Sequence, residues 1–199
     1  MNPKWHQIIC VTGASGSGKT TLVEYLLENH PGVFRDVPSI LTRPPREDSE
    51  SLNITVSKNE FEHLWNGGKL LWKMKNHGYL YGTRKEDVRS ILEKDNRAIL
   101  IISPRCIPLL MVFCTEEDID PNRFLFLHVL SPNEATITAR LTARGDSAET
   151  IATRIEECKN WDEYIRSLPY SIHLLDNTGT TKEFVKSTDR LIGMINQLL

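Results

Sequence analysis

The 199-residue sequence predicts an α/β domain built on a parallel sheet. Three observations carry that prediction. Short apolar runs alternate along the chain with segments of helical period. The interiors of those runs, such as Ile99-Leu100-Ile101-Ile102, lack polar alternation, as strands covered on both faces should. A glycine-rich loop stands between the first apolar run and the first helix-period segment, at residues 13–20.

Taken in order, the strands are expected at residues 7–12, 35–40, 97–103, 123–130 and 172–175. Five strands of this kind form a five-stranded parallel core sheet flanked by helices. Helical stripes appear at Leu22, Val23, Leu26 and Leu27, at Phe61, Leu64 and Trp65, and at Val88, Ile91 and Leu92. The last stripe runs through Phe184, Leu191, Ile192, Ile195 and Leu199. Capping boxes at Ser57/Glu60, Thr83/Glu86, Ser131/Glu134 and Thr180/Glu183 precede periodic segments, the third with Pro132 at the first helical position. Residues 44–81 break the strand–helix alternation. They read as a polar turn, a short strand at 54–57, a helix, and two strands around His77-Gly78. This predicts an inserted α+β subdomain within one domain spanning 1–199, with residues 1–43 and 82–199 as the core. A polar turn at 144–149 separates two helices of a helical lid near 131–160.

Composition narrows the function classes. Hydrophobic residues make up 40% and charged residues 25%, which excludes bulk disorder. A formal net charge of −2 argues against nucleic acid or a polybasic membrane surface as partner. The longest apolar run, residues 107–114, is far short of the roughly 18 residues of a membrane span. Cys10, Cys106, Cys114 and Cys158 show no paired or metal-ligand spacing, so they are expected reduced and mostly buried, in a cytoplasmic protein.

Gly13-Ala14-Ser15-Gly16-Ser17-Gly18-Lys19-Thr20 matches G-x-x-x-x-G-K-[ST] at every fixed position, after a strand and before a helix. The chemistry needs these types. Glycines let successive N–H groups curl around phosphate oxygens, and the helix N-terminus adds partial positive charge. Lys19 neutralises the outer phosphates of ATP, and the Thr20 hydroxyl ligates Mg²⁺. A guanine-reading NKxD is absent, so a G-protein is excluded.

Thr42-Arg43-Pro44-Pro45-Arg46 holds two arginines on a stiff segment, and arginine forks suit phosphate oxygens. On composition alone it reads first as a solvated basic loop. The whole series is more specific. The loop GASGSGKT, then Ser39 to Arg46, then Tyr81-Gly82-Thr83, then Arg140, Arg144 and Arg154 resembles the guanylate kinase family over nearly the entire chain. The resemblance implies a P-loop kinase fold and transfer of the ATP γ-phosphoryl group to a phosphate-bearing small molecule such as GMP. It further implies that Ser39, Arg43, Arg46 and Tyr81, with Thr83 beside them, hold the acceptor phosphate, that Arg140, Arg144 and Arg154 close over ATP, and that adenine packs near Asp176-Asn177.

The sequence departs from that family where the base is read. The acidic positions fall on Trp72, Ile101 and Ser103, and a clamp tyrosine falls near Asn53. Guanine offers donors that need acceptors. A wall of Trp72 and Ile101 therefore predicts weak GMP phosphorylation, with little preference over other purine monophosphates. The nearest acids are Glu62 and Glu86. No acid lies in 98–102 or 123–130 to support Mg²⁺, which leaves Ser103 as a candidate holder of a metal-bound water. Two alternatives stay open at this point. A ribose 1,5-bisphosphate phosphokinase would accept a sugar phosphate without a base. A non-catalytic guanylate-kinase-like binding module typically loses the loop lysine, which is intact here. The oligomeric state is not legible.

Overall fold

A computed structural model describes residues 6–45, 53–76, 78–94, 97–179 and 181–197. The core is a five-stranded parallel sheet in the order β2-β7-β1-β8-β9. Its strands are β1 (Ile8–Gly13), β2 (Phe34–Asp36), β7 (Arg97–Ile101), β8 (Phe124–Val129) and β9 (Ile172–Leu175). Every residue of β1 and β8 is buried, which explains their uninterrupted apolar sequence. One face packs under α1 (Lys19–Asn29) and α7 (Thr181–Gln197), where Leu22, Val23, Leu26, Phe184 and Ile192 meet Ile9, Val11, Ile99 and Leu127. The other face holds α3 (Lys85–Glu93) and α4 (Cys106–Glu116), whose Val88, Ile107 and Leu110 meet Ile8, Cys10 and Leu100. All four cysteines are free and buried.

A second sheet, ordered β4-β3-β6-β5, stands beside the core. It comprises β3 (Ser39–Leu41), β4 (Asn53–Thr55), β5 (Met74–Asn76) and β6 (Tyr79–Gly82), with α2 (Lys58–Asn66) closing a small core of Ile40, Phe61, Leu70 and Leu80. Gly82 is required by close approach, because a Cβ there would fall 2.9 Å from both the Trp72 carbonyl oxygen and Leu70 Cδ1.

Four expectations need correction. The strand expected at 35–40 is two strands in two sheets, with Val37-Pro38 between them. Pro38 has no N–H to continue a ladder, so the chain leaves the core sheet there. The second sheet accordingly begins at Ser39, ahead of the expected boundary at 44. The box at Thr83/Glu86 does not cap a helix: Arg84 precedes α3 without a side-chain cap, and Thr83 is buried. At Ser131/Glu134 the cap is Asn133, which accepts from the Thr136 N–H at 2.9 Å, and Pro132 lies outside α5 (Glu134–Ala143). Ser57 does cap α2, its hydroxyl accepting from the Glu60 N–H at 3.1 Å. Thr180 lies outside the described residues.

The long α6 (Ala148–Ser167) follows the turn expected at 144–149. A buried network ties it to the sheet. His128 Nδ1 stands 2.7 Å from the Thr12 hydroxyl, and its Nε2 stands 2.8 Å from Asp162 of α6. The Ser131 N–H and hydroxyl both donate to the same carboxylate. The helix that carries Arg154 is thereby anchored two turns beyond it.

Candidate active site

The loop from Ala14 to Gly18 leaves β1 at the carboxyl edge of the sheet, where open α/β sheets bind ligands. Gly18 enters α1 at φ +101°, and a Cβ there would collide with the Asn177 amide. That amide donates to the Ser17 carbonyl at 2.6 Å, so the segment after β9 braces the loop from behind. Lys19 donates to the Ala14 carbonyl at 2.7 Å, and burial lowers its pKa to about 8. The ammonium is folded onto its own loop, within reach of any phosphate that replaces the carbonyl as partner.

The lid arginines converge on the same loop. Arg140 donates to the Gly16 carbonyl at 2.9 Å, and Arg154 donates to the Ser15 hydroxyl at 3.1 Å. Arg144 reaches the same hydroxyl at 3.3 Å. Asp146 gathers the latter pair, accepting from Arg154 at 3.0 Å and from Arg144 at 2.5 Å. Three guanidinium groups around one glycine-rich loop make a strongly cationic, preorganised anion site.

A cavity of about 1120 Å³ opens from this loop towards the second sheet. Lys19, Thr20, Arg140 and Arg144 line one end, and Ser39, Arg43, Asn53 and Tyr81 line the other. Gly13, Ser15, Gly16, Gly18, Trp72, Ser103 and Asn177 complete much of its wall. Arg154 and Ala14 border a smaller adjoining cavity together with Arg43 and Tyr81. Ser17 is fully buried beneath the loop. Asp176 is exposed and accepts from the Thr178 N–H at 2.8 Å, so it shapes a turn and does not face the cavity. Thr83 is buried outside the cavity. Arg46 lies outside the described residues.

Some of the buried polar atoms left without partners lie at this site. Among the described residues, Arg43 Nε, Arg154 Nε and Ser17 Oγ are buried without hydrogen-bond partners. An unmet buried donor costs about 1–3 kcal/mol, which a bound phosphate would recover at the arginines. The donor set also suits Mg²⁺, which takes few protein oxygens and keeps waters and phosphates as its other ligands. Thr20 offers its hydroxyl at the first turn of α1. Among the described residues no group of three or more acidic, histidine or cysteine side chains gathers to hold a metal outright.

Sequence reasoning missed three cavity-facing acids. Glu24 follows Thr20 by one helical turn, Asp36 ends β2, and Glu157 comes from α6 together with Trp161 and Tyr164. Burial raises the Asp36 carboxyl to about 7. Its place at the carboxyl end of a core strand was the available signal. The acids expected nearest the base do not line the cavity. Glu62 pairs with Lys73 at 2.6 Å, and Glu86 sits in the first turn of α3.

Comparison with known proteins agrees with this geometry. Residues 6–183 match the model of the family described as Guanylate kinase. A guanylate kinase of Nostoc sp. is 32% identical over 161 residues, covering 79% of this chain and 77% of that protein. One from Neisseria meningitidis serogroup A is 35% identical over 156 residues, covering 77% and 72%. The crystal structure of guanylate kinase from Anaplasma phagocytophilum superposes with a TM-score of 0.61, at 16% identity, over 98% of this chain and 86% of that one, a likeness of fold. The chain belongs to the guanylate kinase family, whose members are P-loop kinases.

Proposed function

We propose that the protein transfers the γ-phosphoryl group of ATP to the phosphate of GMP, releasing ADP and GDP. One observation carries the reading. A single cavity has a phosphate-loop lysine with lid arginines at one end and Arg43 with Tyr81 at the other. Two anions held at opposite ends of one cavity suit in-line transfer between them, and such transfer needs positioning and charge stabilisation more than a general base. An oxygen of the acceptor phosphate attacks Pγ as the bridge to Pβ breaks, and the charge on that bridging oxygen passes to ADP. Lys19, Arg140, Arg144 and Arg154 face the transferring group. Arg43, with Ser39, Asn53 and Tyr81, holds the acceptor phosphate. Bound at Thr20, Mg²⁺ would neutralise charge on the outer phosphates of ATP.

The names of the relatives favour GMP over a sugar phosphate, and the intact Lys19-Thr20 pair disfavours a binding-only module. Base selectivity is a separate matter. Trp72, 3% exposed, and Ile101 offer no acceptor to guanine. With these two residues in place of acids, discrimination against other purine monophosphates should stay well below the roughly 10⁴-fold that paired buried polar groups allow, unless one of the cavity acids Glu24, Asp36 and Glu157 reads the base. The test is turnover with Mg-ATP on a panel of nucleoside monophosphates and ribose 1,5-bisphosphate, read by ADP release. GMP should be phosphorylated, with adenosine and inosine monophosphates not far behind. Turnover of the sugar phosphate alone would overturn the proposal.

A further inference from the structure

Phosphate-loop enzymes hold their metal with the loop hydroxyl and a carboxylate from a core strand. The strand beside β1 on one side is β7, and it ends in Leu100-Ile101, followed by Ile102-Ser103. The strand on the other side is β8, which has no acid either. The next strand out from β7 is β2, and its last residue is Asp36.

Register places that acid with some definition. Asp36 pairs with Ile99 in the parallel ladder, so it shares a sheet face with Ile99 and, two residues on, with Ile101. Phe34, also on that face, packs with Ile99, Ile101, Leu22 and Val23, so this is the face that α1 covers. The first turn of α1 carries Thr20. Asp36 is half-buried and lines the cavity that Lys19 and Thr20 line, and its carboxylate makes no protein hydrogen bond or ion pair among the described residues. A partly dehydrated carboxylate with no protein cation beside it, on the sheet face covered by the helix that carries Thr20, has the chemistry of a metal-water acceptor.

We infer that Asp36 is the carboxylate that positions the magnesium ion of the bound nucleotide, through its water ligands, in place of the acid that β7 lacks. The inference rests on the kinase reading. It makes Asp36 a positioning residue and moves the support by one strand, with Thr20 still supplying the protein's direct ligand. Outer-shell partners of this kind change metal affinity by about 10–100-fold when removed.

The experiment is calorimetric titration of ADP into the wild-type chain, Asp36→Asn and Glu24→Gln, with and without Mg²⁺. Metal-free ADP should bind all three within about two-fold. Magnesium affinity of the ADP complex should fall about 10-fold or more in Asp36→Asn and hold in Glu24→Gln. The Mg²⁺ concentration giving half-maximal turnover should shift likewise, with the KM for GMP unchanged. Unchanged magnesium affinity in Asp36→Asn would overturn the inference. So would a raised KM for GMP with normal magnesium dependence, which would give Asp36 to the acceptor. A shift in Glu24→Gln alone would hand the role to the helix. Loss of magnesium-linked ADP binding in Asp36→Asn, in a chain that turned over no acceptor, would keep the inference and sink the kinase reading.

Discussion

The two ends of the cavity are built differently. At the nucleotide end, Lys19, Arg140, Arg144, Arg154 and Asn177 all hydrogen-bond to the loop or to each other's partners before any ligand arrives. At the acceptor end, Arg43 keeps a buried Nε that, like the Arg154 Nε at the other end, has no partner among the described residues, and its neighbours come from short strands of the second sheet. The nucleotide end rests on the fully buried β1 and on α6, which the His128–Asp162 pair anchors. The acceptor end rests on three- and four-residue strands and one small apolar cluster. Rigidity at one end suits charge stabilisation, which loses force when dipoles must reorganise.

Substitutions can break this contrast in a graded way. Lys19→Ala should reduce kcat by about two to three orders of magnitude with an unchanged circular dichroism spectrum, because it removes charge facing the transferring group. Retained turnover in the folded variant would defeat the kinase reading. Arg43→Ala should raise the acceptor's KM by about 10–100-fold, the loss of a charged hydrogen bond worth roughly 1.5–3 kcal/mol, and spare the KM for ATP. Arg140→Ala should do the reverse. A shared defect in both variants would mean that the two ends are not separate phosphate sites.

A smaller effect is expected from pH. Burial lowers the Lys19 pKa to about 8 in the ligand-free site, below its ordinary 10.5. The cationic form that phosphate needs is therefore lost as pH rises through 8. Affinity for metal-free ADP should fall above that pH by up to about tenfold per unit, and Lys19→Met should flatten the profile. The smallest effect belongs to the acceptor end. Ser57→Ala removes the cap of α2 and about 1 kcal/mol of local stability. Hydrogen exchange should quicken in α2, the acceptor's KM should rise by no more than a few-fold, and ATP binding should not move.

Much of the nucleotide end was legible because its signals are local. The loop motif, the following helix and the arginines at 140, 144 and 154 lie in segments whose spacing survives folding, and the structure brings them to one loop. Elements defined by a choice between neighbours were less legible. Thr83 and Ser131 each head a plausible capping box, yet Thr83 is buried and Ser131 serves Asp162. α4 reads in the sequence only as an apolar run. Its buried face takes Cys106, Ile107, Leu110, Phe113 and Cys114, while Leu109 and Val112 are exposed, so no polar face marks its period.

The sequence by itself determined the alternation of strand and helix and the phosphate loop with its lysine and hydroxyl. These follow from periodicity and from backbone preferences of glycine and proline, which act over a few residues. Only the tertiary structure decided that residues 35–40 part at Pro38 into two sheets, and that Asp36 is left at the carboxyl edge of the core, facing the cavity. Strand order and sheet face depend on which distant apolar surfaces bury one another. That choice is made by Ile99, Leu22 and Phe34 packing together across the chain, and no local pattern around Asp36 records it.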